Sequence, residues 1–436
     1  MVSLRGGDDP AYLVGGEDER QHLVPVPLPD LIPLRGHLKP LRTKDEVRAS
    51  LETFQAYVIE LPSRYAAAIK DVIQKAIPDL KTADFQHLRR VAQFKYLPPL
   101  LQKTVRSSRG GDDETSDEVP SEEEDVAEQD DAVRYFLVAP TTAIGHAELV
   151  DALRQIPPFV DTGVPPRLYY VKVPKYSPTS AEQAAQWSTD YWPISYKNTN
   201  PYGPHPSLVV RNTAEIGPEA GYWLALAEKA ASQMAALGFG ESVGCVVVNN
   251  AGGRREVIAA AADCRWRSPT GESEIPHGPG NVMAHAVERA VAMVAKKRLR
   301  AAGKNPNFLD RQLFCDSPLT ELEKQYFELD NVPSAGYLCV ELDIYLTHEP
   351  CVMCSMAILH SRFKRCVFGR RMPQTGGMTA DAGHGNLCPD NNLPKGPGHG
   401  IFWRPSELNW KLLAWEWEAE MANDELALKP SDTMHA

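Results

Sequence analysis

At 436 residues, with 43% hydrophobic and 24% charged content, the chain is long enough for two or three domains with proper cores. No apolar run approaches a membrane span, and all eight cysteines lie at or after Cys245, so a membrane protein and a secreted disulfide framework are both excluded as readings. The net charge of -11 excludes less than it suggests, because residues 112–131 hold twelve acids and no base, leaving 45 acids against 46 bases elsewhere.

Residues 1–40 carry VPVPLPDLIP without periodicity, which predicts a disordered proline-rich lead-in. The first thirty residues contain no signal-peptide core, so an intracellular location, nucleus and cytoplasm, is expected. From 41 to 197 strands and helices alternate. Ala56–Leu61, Arg134–Pro140 and Arg167–Pro174 read as strands, and Ser63–Ala76 and His146–Ile156 as helices, with a short element at Phe85–Val91. A small α+β domain follows from this order, interrupted by a disordered acidic insertion at 107–132.

Five prolines between Pro193 and Pro218 predict a linker over 198–217. A second domain then spans 218–436. It opens with a helix whose Leu224, Ala227, Ala231, Met234 and Leu237 share a face, and a hairpin turning at Asn-Asn-Ala-Gly-Gly follows. Next come a helix after Asn281, a polar insertion near 301–335, a strand over Tyr337–Thr347 and a helix after Pro350. Strand Cys366–Arg371, a Gly/Pro-rich loop near 373–400 and strand Leu408–Glu418 complete an α/β domain with a mixed sheet flanked by helices.

Chemistry concentrates in two stretches. In THEPCVMCSMAILHSR, Pro350 suits a first helical turn and Glu349 its cap, which places Cys351 and Cys354 at i and i+3 on one face. A helix N-terminus favours thiolate, so the pair is half of a zinc site. In NVMAHAVERA, Asn281 caps a helix that carries His285 in its first turn, the natural third ligand. His348 also lies close by, but a supporting or surface position suits it better.

A histidine helix followed by Pro-Cys-x-x-Cys resembles the zinc nucleobase deaminases, whose histidine is part of His-x-Glu. Residues 347–369 closely resemble the matching segment of tRNA adenosine deaminases, and the likeness covers about 218–420. It implies a cytidine deaminase-like three-layer domain and a Zn2+ cofactor bound by His285, Cys351 and Cys354. Here Val287 occupies the place of the glutamate, as in the catalytically degenerate subunit of the eukaryotic heterodimeric tRNA wobble-adenosine deaminase. That resemblance implies no catalytic residue in this chain, a catalytic deaminase subunit as partner, and tRNA as ligand. The N-terminal domain would match that subunit's extension implicated in tRNA binding, and WPISYK at 192–197 has a counterpart there. A base-reading Asn after the hairpin is also missing, its stretch reading AADCRWR with Asp263 and Cys264.

Val287 has a second explanation, as part of the apolar stripe Ala284, Val287, Val291 and Val294. Glu288, turned by about 100° from Val287, is expected to face solvent or a partner. Basic runs at Lys296, Lys297, Arg298 and Arg300, and at Arg370 and Arg371, are candidate phosphate contacts, as are Arg89, Arg90, Lys95, Lys103, Arg106 and Arg109 in the first domain. Two alternatives stand beside the pseudoenzyme reading. One is an active divergent deaminase using Glu288 or Glu349; the other is a zinc-stabilised interaction module unrelated to tRNA.

Overall fold

Strand alternation decides how the chain divides. The computed structural model describes residues 31–80, 85–109, 133–250, 255–267, 280–307, 315–333, 336–380, 397–408 and 410–420. Most of the expected lead-in, nearly all of the acidic insertion and residues 381–396 of the Gly/Pro-rich loop lie outside the described residues. In chain order the first elements are β1 (Gly36–Pro40), α1 (Lys44–Leu51), β2 (Thr53–Pro62), α2 (Ala66–Ala76), β3 (Val91–Ala92), α3 (Pro99–Ser108), β4 (Val133–Pro140), α4 (His146–Leu153), α5 (Phe159–Thr162), β5 (Leu168–Pro174) and α6 (Ala181–Asp190).

Strands β3-β4-β2-β5 form an antiparallel sheet in that order. Along β2, Ala56 and Val58 enter one apolar cluster while Tyr57, Ile59 and Leu61 enter another. The first cluster is closed by Leu101 and Val105 of α3 and Ala184 and Trp187 of α6; the second by Ile69 of α2 and Leu149 and Leu153 of α4. Helices α3 and α6 were not expected, since their short apolar sets are diluted by polar residues. Trp192 of the WPISYK stretch is fully buried, and its indole N–H donates to Arg89 O at 2.7 Å, sewing that segment into the first unit.

The second unit contains α7 (Pro206–Ala236), β6 (Gly244–Asn249), β7 (Glu256–Ala262), α8 (Ala286–Ala301), α9 (Glu321–Phe327), β8 (Leu342–His348), α10 (Val352–His360), β9 (Arg365–Arg370), α11 (Pro405–Leu408) and β10 (Leu413–Ala419). Its six-stranded sheet runs β1-β10-β9-β8-β6-β7, with β8, β9 and β10 parallel and the other pairs antiparallel. Cys245 and Val247 of β6 face α8 and α10, and Val246 and Val248 face α7. Helices thus cover both faces of a mixed sheet, the three-layer cytidine deaminase-like architecture. Among the described residues, no helix is long and apolar enough to cross a membrane.

Three boundaries differ from expectation. Of the segment expected to be a linker, 198–217, residues 206–217 form the first turns of α7, a 31-residue helix. Pro206 sits at its start, where a missing N–H costs nothing. Pro218 lies inside it, flanked by the buried Ile216 and Ala220 and by the ion pairs Glu215–Arg365 (3.0 Å) and Glu219–Arg255 (2.7 Å), which offset the lost backbone bond. The end of the expected lead-in is β1, an edge strand of the C-terminal sheet rather than disordered chain. The expected polar insertion contributes α9, whose Leu322 and Tyr326 are buried and whose Glu323 forms a fully buried ion pair with Arg289 of α8.

Gly221 of α7 is the contact that admits the segment leading to β1. A Cβ there would lie 2.2 Å from Leu34 O, which itself belongs to a residue whose N–H bonds Gly221 O at 3.1 Å. Gly217, one turn earlier, would meet only Leu38 Cδ1 at 4.0 Å. Denaturant unfolding should therefore show Gly221→Ala destabilised by roughly 1–3 kcal/mol. Gly217→Ala should instead be neutral or stabilised by up to about 1 kcal/mol. Equal effects at the two positions would contradict this packing.

Candidate metal centre

Two helices that start at the same end of the sheet build the site. His285 is the N-cap of α8 and Cys351 the N-cap of α10, both with extended backbone (ψ 152° and 174°). Each expected position is thus one step earlier than a first helical turn. Asn281 does not cap α8; its Oδ1 accepts from Met283 N at 3.1 Å and shapes the turn before the histidine. The Cys245 S–H donates to Ala286 O at 3.2 Å and pins the start of α8 to β6.

The three donors meet in a buried pocket. His285 Nδ1 lies 3.5 Å from Cys354 Sγ and 3.8 Å from Cys351 Sγ, and all three donors lie within 4.8 Å of one another. His285, Cys351 and Cys354 are 5%, 2% and 0% exposed. Zinc bonds of about 2.3 Å to sulfur and about 2.0 Å to nitrogen, at a tetrahedral angle, separate N and S by about 3.5 Å. The donor set and its spacing fit that ion. The two thiols already share charge unequally: the Cys354 S–H, and then His285, push the Cys351 thiol down to about 4, while donating to the Cys351 sulfur, and then burial, hold Cys354 protonated.

Val287 points into the core behind the donors and is 2% exposed, in the cluster that includes Ala290, Met293 and Val294. It supplies no proton carrier. Glu288 departs from expectation. It is half-buried, and its carboxyl responds to both His285 and Cys351, with burial raising its pKa. Rather than standing fully in solvent, it is half-buried in the first turn of α8, three residues after His285.

Glu349 is not a helix cap. Its carboxylate accepts from Met378 N (3.1 Å), Thr379 N (2.8 Å), Thr379 Oγ1 (2.9 Å) and Met372 N (3.2 Å), at 1% exposure. Burial pushes its pKa up, against four donors that favour the charged form. The result is a clamp that folds residues 372–379 against Pro350 and Cys351, where Gly377 N donates to Pro350 O at 2.8 Å. His348 is also internal, with Nδ1 2.9 Å from Thr347 Oγ1 and its pKa pushed down to about 4 by burial, then by Arg370. Asp263 turns inward to Arg265 (2.6 Å), and Cys264 is fully buried.

Most candidate phosphate contacts in this unit are spent internally. Lys297 is fully buried, donating to Ile258 O (2.7 Å), Tyr326 O (2.8 Å) and Asn331 Oδ1 (2.8 Å). Arg298 donates to Leu338 O and Pro333 O, Arg300 pairs with Asp330 at 2.7 Å, and Lys296 with Asp316 at 3.3 Å. Arg371 grips Glu416 through both Nε and Nη2. Arg370 is half-buried beside His348 and Glu228. Spacing along α8 gave no sign that the residues of 315–333 would fold back over this face.

In the first unit, by contrast, Arg89, Lys95 and Arg134 line a cleft of about 740 Å³ together with Tyr96, Gln102 and Ile194. Arg89 and Lys95 are exposed, and Lys95 lies over the Tyr96 ring at 5.1 Å. Of the other basic residues there, Arg109 is engaged with Glu60, and Arg90 and Arg106 lie over Phe85 and Phe94.

Comparison with known proteins agrees with this geometry. Residues 219–370 match the family model of the cytidine and deoxycytidylate deaminase zinc-binding region. The chain is 27% identical over 223 residues to the tRNA-specific adenosine deaminase subunit TAD3 of Saccharomyces cerevisiae, covering 51% of this chain and 55% of that protein. It is 26% identical over 259 residues to tRNA-specific adenosine deaminase subunit tad3 of Schizosaccharomyces pombe, covering 59% and 62%. A Mus musculus protein named probable inactive tRNA-specific adenosine deaminase-like protein 3 matches at 26% over 327 residues, covering 73% and 79%. The chain thus spans little more than half the length of the yeast relatives it matches.

Purified chain should carry about one zinc per molecule, and His285→Ala or Cys354→Ala should reduce that to near none. Because the donors bind metal only when deprotonated, occupancy should fall as pH falls. Metal analysis by mass spectrometry across a pH series checks both, and retention of zinc by Cys354→Ala would contradict the assignment.

Proposed function

We propose that this chain is the non-catalytic subunit of a heterodimeric tRNA-specific adenosine deaminase, which converts adenosine to inosine at the tRNA wobble position. The observation that carries the reading is Val287: a complete His-Cys-Cys donor set stands beside an aliphatic residue buried in the core. In deaminases of this type zinc activates a water, and a glutamate carries the proton to the base and the departing ammonia. This chain keeps the donors, so zinc here serves architecture, and the partner is a second chain with an intact His-x-Glu. The names of the relatives support an inactive role and a tRNA substrate. Location in the nucleus and cytoplasm accords with that substrate.

The basic, aromatic-bordered cleft of the first unit supports tRNA contact there. Positive side chains free to meet phosphates and a ring able to stack are what a flexible RNA strand requires. Lys297, Arg298 and Arg371 have no such freedom, since each is committed to internal acceptors.

One observation favours a second reading, an active divergent deaminase: Glu288 is half-buried in the first turn of α8, three residues after His285. Deamination assays of tRNA by this chain alone, by a catalytic partner alone and by the co-expressed pair separate the two. The chain alone should be inactive and the pair active. Glu288→Gln should leave the turnover of the pair unchanged, whereas a general base at that position would cost about 10²- to 10⁴-fold. Val287→Glu should not confer activity on the isolated chain, because Asp263 and Cys264 leave the base-reading side altered as well.

Lys95→Ala and Arg134→Ala should each weaken tRNA binding and lower the salt slope by about one. Lys297→Met should leave the affinity of folded protein unchanged. Equal losses in all three would count against the cleft.

A further inference from the structure

The chain crosses between the two sheets twice. The first crossing leaves β1 at Leu41, whose N–H bonds Ala414 O of β10 at 2.9 Å, and reaches β2 through α1. The second leaves the first unit at Ser195 and Tyr196, held there by Ser195 N to His87 O (2.7 Å) and Tyr196 Oη to Thr179 O (3.3 Å). It enters α7 at its N-cap, His205. This second crossing starts from the basic cleft itself, which Pro193 and Ile194 help to line.

Two connections alone would still let the units tilt and slide, because linked units move relative to one another unless an interface holds them. Here the connections are laced together. Thr43 Oγ1 donates to Tyr202 O at 2.7 Å. Glu46 Oε2 accepts from Thr43 N at 2.5 Å, closing the capping box of α1, and its Oε1 accepts from Asn200 Nδ2 at 2.5 Å. The other bonds of Asn200 stay within its own crossing: Nδ2 also donates to Pro204 O (3.1 Å), and Oδ1 accepts from Tyr202 N (3.1 Å). Gly203 passes so close that a Cβ there would lie 2.7 Å from the Glu46 carboxyl carbon. Thr43 and Glu46 are 5% and 7% exposed, so water is no ready substitute for these bonds. A capping box needs one carboxylate oxygen; the second is turned to the other crossing.

We propose that Glu46 and Asn200 are positioning residues, whose bond joins the two crossings into one strap and so sets the direction in which the basic cleft faces relative to the metal-centred unit. The role rests on the reading of this chain as the tRNA-binding partner of a catalytic subunit. A tRNA gripped by the cleft has to reach an active site on another chain, and a cleft that swings presents the base elsewhere for much of the time. Loosening the strap leaves the contacts of the cleft intact, so tRNA affinity should hold while turnover falls. A residue that only stabilised the fold would lower both together, through the amount of folded protein.

The test uses the full chain co-expressed with a catalytic deaminase subunit. Spin labels are carried on azidophenylalanine at the exposed Thr104 of the first unit and the exposed Ser232 of the second. Asn200→Asp sets two carboxylates against each other and should broaden the distance distribution at parental melting temperature and zinc content. It should lower kcat for tRNA about tenfold or more, and leave KM and the tRNA Kd of the isolated chain within about twofold. Adding Glu46→Gln places a donor opposite the new carboxylate, and the double variant should recover the narrow distribution and most of the turnover. If Asn200→Asp does not fold, Asn200→Ala, which deletes the tie without a new charge, is measured in the same way. The proposal is overturned if a folded Asn200 variant keeps the parental distance distribution, turns over at the parental rate, or loses turnover only in step with tRNA affinity. A parental pair that is itself inactive overturns the functional reading and the positioning role with it, while the distance distributions still decide whether Glu46 and Asn200 fix the units.

Discussion

Everything in the C-terminal unit follows from the need to bring two helix starts to one point. His285 and Cys351 are both N-caps, and Cys354 lies one turn into α10. Polar donors at a helix start lie among unpaired N–H groups, which stabilise thiolates and discourage a cation unless the ligands are negative. Two cysteines supply that charge and the histidine completes the set without adding to it. The placement holds only because each start is tied down. Cys245 pins α8 to β6 through Ala286, and the Glu349 carboxylate gathers four donors from residues 372–379 around the start of α10. Gly376 and Gly377 permit that gathering, since a Cβ on either would lie within 2.2 and 2.6 Å of Glu349 and Ser355 atoms.

Against that frame the valine at 287 has a thermodynamic meaning. At 2% exposure, a carboxylate in its place would be desolvated and would need the metal centre or a substrate to compensate it. A valine fills the same space with a gain of roughly 1.5–3 kcal/mol from burial. Other acids in this unit show what compensation takes: the fully buried Glu323 accepts two hydrogen bonds from Arg289, at 2.6 and 2.8 Å, and one each from Ala262 N and Leu319 N. No comparable partner is assigned to position 287, so stability and the retained donor set both favour the aliphatic residue.

The strands and the gathering of His285, Cys351 and Cys354 were legible because much of their information is local. Apolar runs such as Cys245–Val248, bounded by turn residues, read as buried strands without reference to distant residues, and Cys-x-x-Cys fixes its own spacing. What was misread depends on distant chain. The proline cluster before Pro218 looks like a linker until Glu215 and Glu219 are seen to find Arg365 and Arg255. Glu349 looks like a helix cap until its donors arrive from more than twenty residues on. Lys297 looks like a surface charge until Ile258, Tyr326 and Asn331 supply acceptors for all three of its N–H groups. Composition cannot tell a solvated cation from one that serves as a pin.

The distribution of committed cations therefore bears on where a polyanion would meet this chain. Three of the four basic residues on α8 named as candidates have acceptors within the insertion that follows the helix, and the fourth, Lys297, bridges that insertion to β7. Releasing Lys297 to a phosphate would leave Ile258 O, Tyr326 O and Asn331 Oδ1 without their donor in the interior. Such a loss exceeds what a surface phosphate contact returns. The first unit carries no equivalent penalty at Arg89 and Lys95, which already stand in solvent beside an exposed tyrosine. Among the described candidates the contrast is one of commitment: the cations of α8 are spent on architecture, whereas Arg89 and Lys95 of the first unit are exposed.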